Sequence, residues 1–170
     1  MKRTRLLFVA SFALVCAATT VRAQETASAT VTATIVTPIS ITKDVDMNFG
    51  NVAVQSTTGG TVVLTPAGTR TTTGGVTLPT TAGTVTAASF TVNGTSGYTY
   101  VITLPTTPLT ITSGANTMTV TAFTSDPSGT GTLTGGTQVL NVGATLNVSA
   151  AQPAGQYVSG TPFNVTVNYN

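Results

Sequence analysis

Histidine and tryptophan are absent from this chain, and its one cysteine, Cys16, sits in the first apolar stretch. Without histidine, the usual general base near neutral pH and the commonest metal ligand are missing. With no cysteine beyond residue 16, the body of the chain has no thiol nucleophile, no disulfide and no thiolate-based zinc site. Charge is scarce as well: charged residues make up 6% of the sequence, too few for a basic patch that holds nucleic acid. Beyond residue 23 there is one glutamate (Glu25), one lysine (Lys43) and one arginine (Arg70). No apolar 3.6-residue period runs longer than about ten residues there, which argues against helices.

The opening residues read as an export leader. Lys2, Arg3 and Arg5 precede an apolar run over residues 6–18, of signal-peptide length and too short to span a bilayer. Val21-Arg22-Ala23 supplies small residues for cleavage after Ala23, which makes residues 1–23 a removed signal peptide. Four of the six basic residues leave with it. Lys43 and Arg70 then stand against Glu25, Asp44, Asp46 and Asp126, a net charge of −2. The expected location is the periplasm in transit, then the cell surface or medium. No later stretch is apolar enough to insert into a membrane as a helix.

What the chain does have is threonine, valine and glycine. Thr and Val are stiff at the β-carbon and favour a pleated surface. Short alternating segments are cut by Gly, Pro and Asn-Gly punctuation at spacings near ten residues, the pattern of an all-β, two-sheet sandwich. A solenoid needs a fixed repeat, and none is present. Asn93-Gly94 predicts a tight turn between the strands on either side of it. Ser113-Gly114-Ala115-Asn116 predicts a hairpin loop, Gly143 a bulge, and residues 66–75 an exposed loop carrying Arg70.

Chemistry-bearing clusters are thin. Asp44 and Asp46 lie two apart and could hold calcium weakly with Asn48, but a solvated turn is the simpler reading. Asp126 before Pro127 reads as a turn initiator. Hydroxyls are plentiful with no base to activate them. No cofactor, metal site or catalytic residue is expected, and the protein is expected not to be an enzyme. Of the aromatics, Phe90, Phe123 and Phe163 lie in alternating segments suited to a core. Tyr98 and Tyr100 share a face after Ser96-Gly97 and offer at most one small sugar-binding surface.

The two ends carry the strongest pattern. Residues 163–170 alternate without a fault, placing Phe163, Val165, Val167 and Tyr169 on one face. Residues 29–35 alternate as cleanly, with Ala29, Val31, Ala33 and Ile35 on one face and threonines on the other. An uncovered edge beside the final strand would leave backbone donors and acceptors open. A second alternating segment could close that edge by main-chain pairing.

Residues 33–39 (Ala-Thr-Ile-Val-Thr-Pro-Ile), 47–52 (Met-Asn-Phe-Gly-Asn-Val) and 155–157 (Gly-Gln-Tyr) with the closing strand carry a resemblance. On these pieces residues 24–170 resemble the bacterial secreted family called domain of unknown function 4402. More distantly they resemble chaperone–usher pilins and spore coat protein U-type domains, which end in an alternating strand with a penultimate tyrosine, here Tyr169. The chain differs from many pilins in lacking a disulfide, and Gly155 and Gly160 compete as counterpart of the upstream pilin glycine.

That resemblance implies an immunoglobulin-like sandwich over residues 38–170, completed by strand donation where it is incomplete, and a candidate donor strand over residues 24–37. It implies a structural or adhesive subunit of a surface fibre or coat. Ala29, Val31, Ala33 and Ile35 would enter a neighbouring subunit. Phe163, Val165, Val167 and Tyr169 would form the acceptor edge and first dock a periplasmic chaperone, with an outer-membrane usher as a further partner. The alternative is a self-contained sandwich that binds glycan or protein through its loops.

Overall fold

The structure is a computed structural model that describes residues 23–170. The expected leader, with Cys16, lies outside the described residues apart from Ala23. The chain divides between Thr34 and Ile35, and the two sides are described separately. On the first side, residues 23–34 form no strand or helix and are exposed. The strand expected over residues 29–36 is therefore not formed. Period-2 alternation makes a segment competent for a sheet, but a strand needs a hydrogen-bonded neighbour.

The second side is all-β and antiparallel. Its strands are β1 (Ser40–Val45), β2 (Ala53–Val54), β3 (Gly60–Leu64), β4 (Arg70–Gly74), β5 (Val76–Thr77), β6 (Ala88–Asn93) and β7 (Thr99–Thr103). They continue with β8 (Leu109–Ser113), β9 (Asn116–Asp126), β10 (Thr130–Thr132), β11 (Thr137–Val148), β12 (Val158–Ser159) and β13 (Thr166–Tyr169). No helix among the described residues is long and apolar enough to cross a membrane. The sheets pack as a β-sandwich. The large sheet runs β1-β6-β11-β9-β8-β12, with β3 and β4 attached beside β11. A second sheet runs β10-β7-β13, and β2 pairs with β5.

The twelve-residue β11 organises the molecule. Its residues 137–142 pair with β6, and its residues 144–148 pair with β3 on the same flank. The other flank belongs to β9. Gly143 marks the changeover. A β-carbon there would run into the backbone carbonyl oxygen of Leu64, so only glycine lets β3 come this close. The ladder with β9 also shifts here: Thr145 faces Thr121 and Gly143 faces Thr124. Ala122 and Phe123 thus share one opposing residue, the signature of a bulge, and Ala122 takes a left-handed φ of 49°. The bulge interrupts the strict alternation and lets Phe123 reach both apolar clusters of the interior.

Those clusters lie at the two ends of β11. The first gathers Phe90, Val92, Tyr100, Ile102, Leu140 and Val167 between the large sheet and β10-β7-β13. The second gathers Val62, Val76, Val120, Ala144, Leu146 and Val148 around β3, β9 and the end of β11. Among the described residues no polar or charged side chain is buried.

Several local expectations change. Asn93-Gly94 does not close a hairpin: β6 and β7 belong to different sheets, and the Gly94 amide donates to the Gly136 carbonyl. Asp44 is not in a turn but on β1, where it accepts a hydrogen bond from Thr91 Oγ1 at 2.7 Å. Arg70 is not in an exposed loop but opens β4. Asn93-Gly94 and Asp44 are drawn past or into a sheet by partners far away in sequence, whereas Arg70 pairs with nearby Leu64 in a β3–β4 hairpin. The 113–116 loop falls where the sequence places it, whereas the bulge expected at Gly143 lies on the opposing strand, at Ala122 and Phe123 of β9.

Candidate functional site

A cavity of about 1110 Å³ opens over the second cluster. Its sheet side is Leu109 and Ile111 on β8, Met118 and Val120 on β9, and Leu146 and Val148 on β11. All six are apolar because alternation along these strands puts Thr110, Thr119, Thr145 and Asn147 on the opposite face. Two further segments line it, residues 45–54, with Met47, Phe49, Val52 and Val54, and residues 152–163, with Tyr157 and Phe163, and Ala88, Phe90 and Phe123 line the end toward the first cluster.

Both segments are held by polar contacts behind the apolar surface. The Arg70 guanidinium donates to the carbonyls of Phe49 and Asn51, the latter at 3.0 Å, and so pins the turn that presents Phe49. Asn48 Oδ1 accepts from the Gly50 amide at 2.8 Å, and Asn48 and Thr86 bridge backbone to backbone. On the other segment the Tyr157 hydroxyl donates to the Pro153 carbonyl at 2.8 Å and accepts from Gln152 Nε2 at 2.9 Å. Gln152 Nε2 also donates to the Thr117 carbonyl at 3.1 Å, which ties the segment to β9.

Charge at the groove cancels locally. Lys43 Nζ meets Asp46 Oδ1 at 2.7 Å, and both side chains are largely exposed. Asp44 is occupied by Thr91, so the two carboxylates considered for calcium serve separate partners. Lys43 and Asp46 are the only charged residues on the lining. The sheet side of the groove is apolar, while Asn48, Asn51, Gln152 and Gln156 bring polar groups to its rim.

The sequence-predicted residues are not brought together at one place. Phe163 lines the groove and packs on Phe123 (ring centroids 5.0 Å) and on the edge of Phe90 (6.3 Å). Val165 is half-buried against the first cluster, and Val167 is 7% exposed within it. β13 does lie at the edge of its sheet, paired only with β7.

Tyr169 works differently from the expected edge residue. Its hydroxyl donates to the Thr37 carbonyl at 2.8 Å and accepts from the Thr95 amide at 2.7 Å. The Thr37 amide in turn donates to Thr95 Oγ1 at 3.0 Å. Tyr169 therefore fastens the chain just ahead of β1. A β-carbon on Gly94 would occupy the place of that hydroxyl, so glycine is required for the latch. The Tyr98 ring packs against Tyr169 at 5.5 Å, whereas Tyr100 is fully buried and donates to Gln138 Oε1. Tyr98 and Tyr100 thus share no exposed surface. Of the predicted donor residues, Ala29 and Ala33 are exposed, Val31 is 94% exposed and Ile35 is 97% exposed.

Sequence reasoning passed over Leu109, Ile111, Met118, Val52 and Val54 as a site. Their signal was present as apolar faces on three separate segments, but only the fold lines them along one channel. In class, the fold is an antiparallel β-sandwich whose second apolar cluster opens into a groove. Residues 39–169 match a family described as Domain of unknown function (DUF4402), and the chain belongs to that family. No curated protein and no solved structure matches the chain.

Proposed function

We propose that the protein is an exported, non-enzymatic structural or adhesive subunit of a bacterial surface fibre or coat, with an immunoglobulin-like sandwich completed by β-strand complementation between copies. One observation carries the reading. Val31 and Ile35, almost wholly exposed, belong to an alternating segment, and residues 35–170 hold an open groove with an apolar sheet side. Exposed apolar side chains at strand spacing gain free energy only by burial, roughly 1.5–3 kcal/mol for each large one fully covered. An extended segment adding to a sheet also satisfies its own backbone groups. The low charge of the chain keeps repulsion between stacked subunits small. A periplasmic chaperone and an outer-membrane usher are the partners this assembly route calls for.

The test removes residues 24–35 and leaves the Thr37 latch intact. The shortened protein should form no species larger than a monomer on native gels, and a synthetic peptide of residues 24–37 should raise its melting temperature with peptide concentration, as a ligand of the folded state does. Higher-order species that persist without residues 24–35, or a melting temperature indifferent to the peptide, would leave the protein a self-contained domain.

A further inference from the structure

We propose that the acceptor for the incoming segment is the groove over β8, β9 and the end of β11, and that its occupant is residues 29–35 of a second copy of this chain. The proposal rests on the strand-complementation reading above and relocates the acceptor away from β13.

Apolar surface decides between the two places. At β13 the inward side chains already have partners: Val167 is buried, and Val165 and Tyr169 pack on the first cluster. A strand added there would find backbone to pair with but little uncovered apolar surface. In the groove, Leu109, Ile111, Met118, Phe49, Val52 and Val54 are all only partly buried. They face a volume that residues 35–170 leave unfilled.

Backbone is also available there. β8 has β9 along one whole flank, but on the other flank β12 pairs only with Ile111 and Thr112. β2 pairs with β5 on one flank only. Both strands contribute lining residues, so an extended segment in the groove has free donors and acceptors within its reach.

The occupant matches in pattern and in charge. Ala29, Val31, Ala33 and Ile35 recur every second residue, about 6.6 Å apart along an extended chain. Threonines fall on the face left toward solvent. Residues 26–36 carry no charge, and the two charged groups on the lining neutralise each other. A neutral apolar face therefore meets the apolar sheet side of a groove with no net charge, and neither strands an ion on closure. Small Ala29 and Ala33, alternating with the larger Val31 and Ile35, let the segment settle close to the sheet while two side chains enter it.

Engineered cysteines read the location directly, because the only natural cysteine lies in the leader at residue 16. The full precursor is expressed with Val31→Cys combined in turn with Ile111→Cys or Met118→Cys, and with Thr32→Cys, on the solvent face of the segment, combined with Asn168→Cys on the solvent face of β13. Assembled material is then oxidised and run on non-reducing gels. The expected result is covalent ladders from the Ile111 and Met118 pairs and none from the Asn168 pair on β13. Ladders from the Asn168 pair alone would overturn the groove assignment and leave strand complementation standing. Assembly without ladders from any pair would also overturn it. Wild-type protein that never assembles would sink both readings. A single Ile111→Cys variant guards against misfolded double variants: its thiol should react with a maleimide in the monomer and lose that labelling on assembly, whereas equal labelling in both states would contradict the proposal.

Discussion

In the first apolar cluster, a three-stranded sheet covers β6 and the leading half of β11; in the second, the trailing half of β11 with β9 and β8 has only β2-β5 and the irregular segments around them for cover. Both halves use the same alternation, though only the first buries aromatic side chains, Phe90 and Tyr100. They differ in how much backbone lies opposite. β7 and β13 each supply inward side chains, among them Tyr100, Ile102 and Val167, that seal the first half. The cover of the second half is two residues of β2, two of β5, a turn held by Arg70 and the 152–163 segment with its two-residue β12. Apolar alternation fixes which face of a strand needs covering, while the number of opposing strands fixes whether it is covered within the chain.

Substitutions in the two halves should separate along this line. Leu140→Ala, at a fully buried position of the closed half, should lower the unfolding free energy by about 2–5 kcal/mol in urea titrations, because the cavity cannot collapse. Ile111→Ala, on the half-buried side of the groove, should cost the monomer less than half of that. A larger loss there would mean that the groove is already closed in solution. Tyr169→Phe removes the donor to Thr37 and the acceptor of the Thr95 amide, and should cost about 1–3 kcal/mol. It should also speed amide exchange at Thr95, which would otherwise show that the latch is dispensable.

Tyr100 tests the closed half by pH. Burial raises the pKa of its phenol above the ordinary 10.0. Above pH 10 an unfolded chain gives up this proton while the folded chain keeps it. The contribution is therefore fully present below pH 10 and is lost as the pH rises toward the raised folded value. Tyr100→Phe should lose only about 1 kcal/mol at neutral pH, since Gln138 Oε1 keeps the Thr132 amide as donor. The variant should then show a shallower fall in stability above pH 10 than the wild type. The smallest effect belongs to Lys43→Ala on the groove rim. Its pair with Asp46 is solvent-exposed, so the change should stay within about 0.5 kcal/mol and fade in salt.

Local chemistry was the legible part of this fold. Threonine and valine gave the all-β class, the Gly114-Ala115 hairpin between β8 and β9 was readable from its loop residues, and Gly143 marked the level of the bulge, though the extra residue is on β9. Partnership between distant segments was not legible. Asn93-Gly94 has the residues of a tight turn, yet the chain crosses between sheets there. Residues 163–170 look like one strand, yet only Thr166–Tyr169 finds β7 opposite. Tyr169 drew notice as the penultimate residue of an alternating run, but its bonds to Thr37 and Thr95 join positions far apart in sequence. The groove was hidden for the same reason: its lining comes from segments whose meeting no single window encodes.

Hydrogen exchange on assembled full-length protein, compared with its monomer, tests the complemented groove most directly. Amides of residues 29–35 and of β8 should gain protection together on assembly, while those of β13 stay as they are. Assembled protein in which residues 29–35 still exchange at free-chain rates would contradict it.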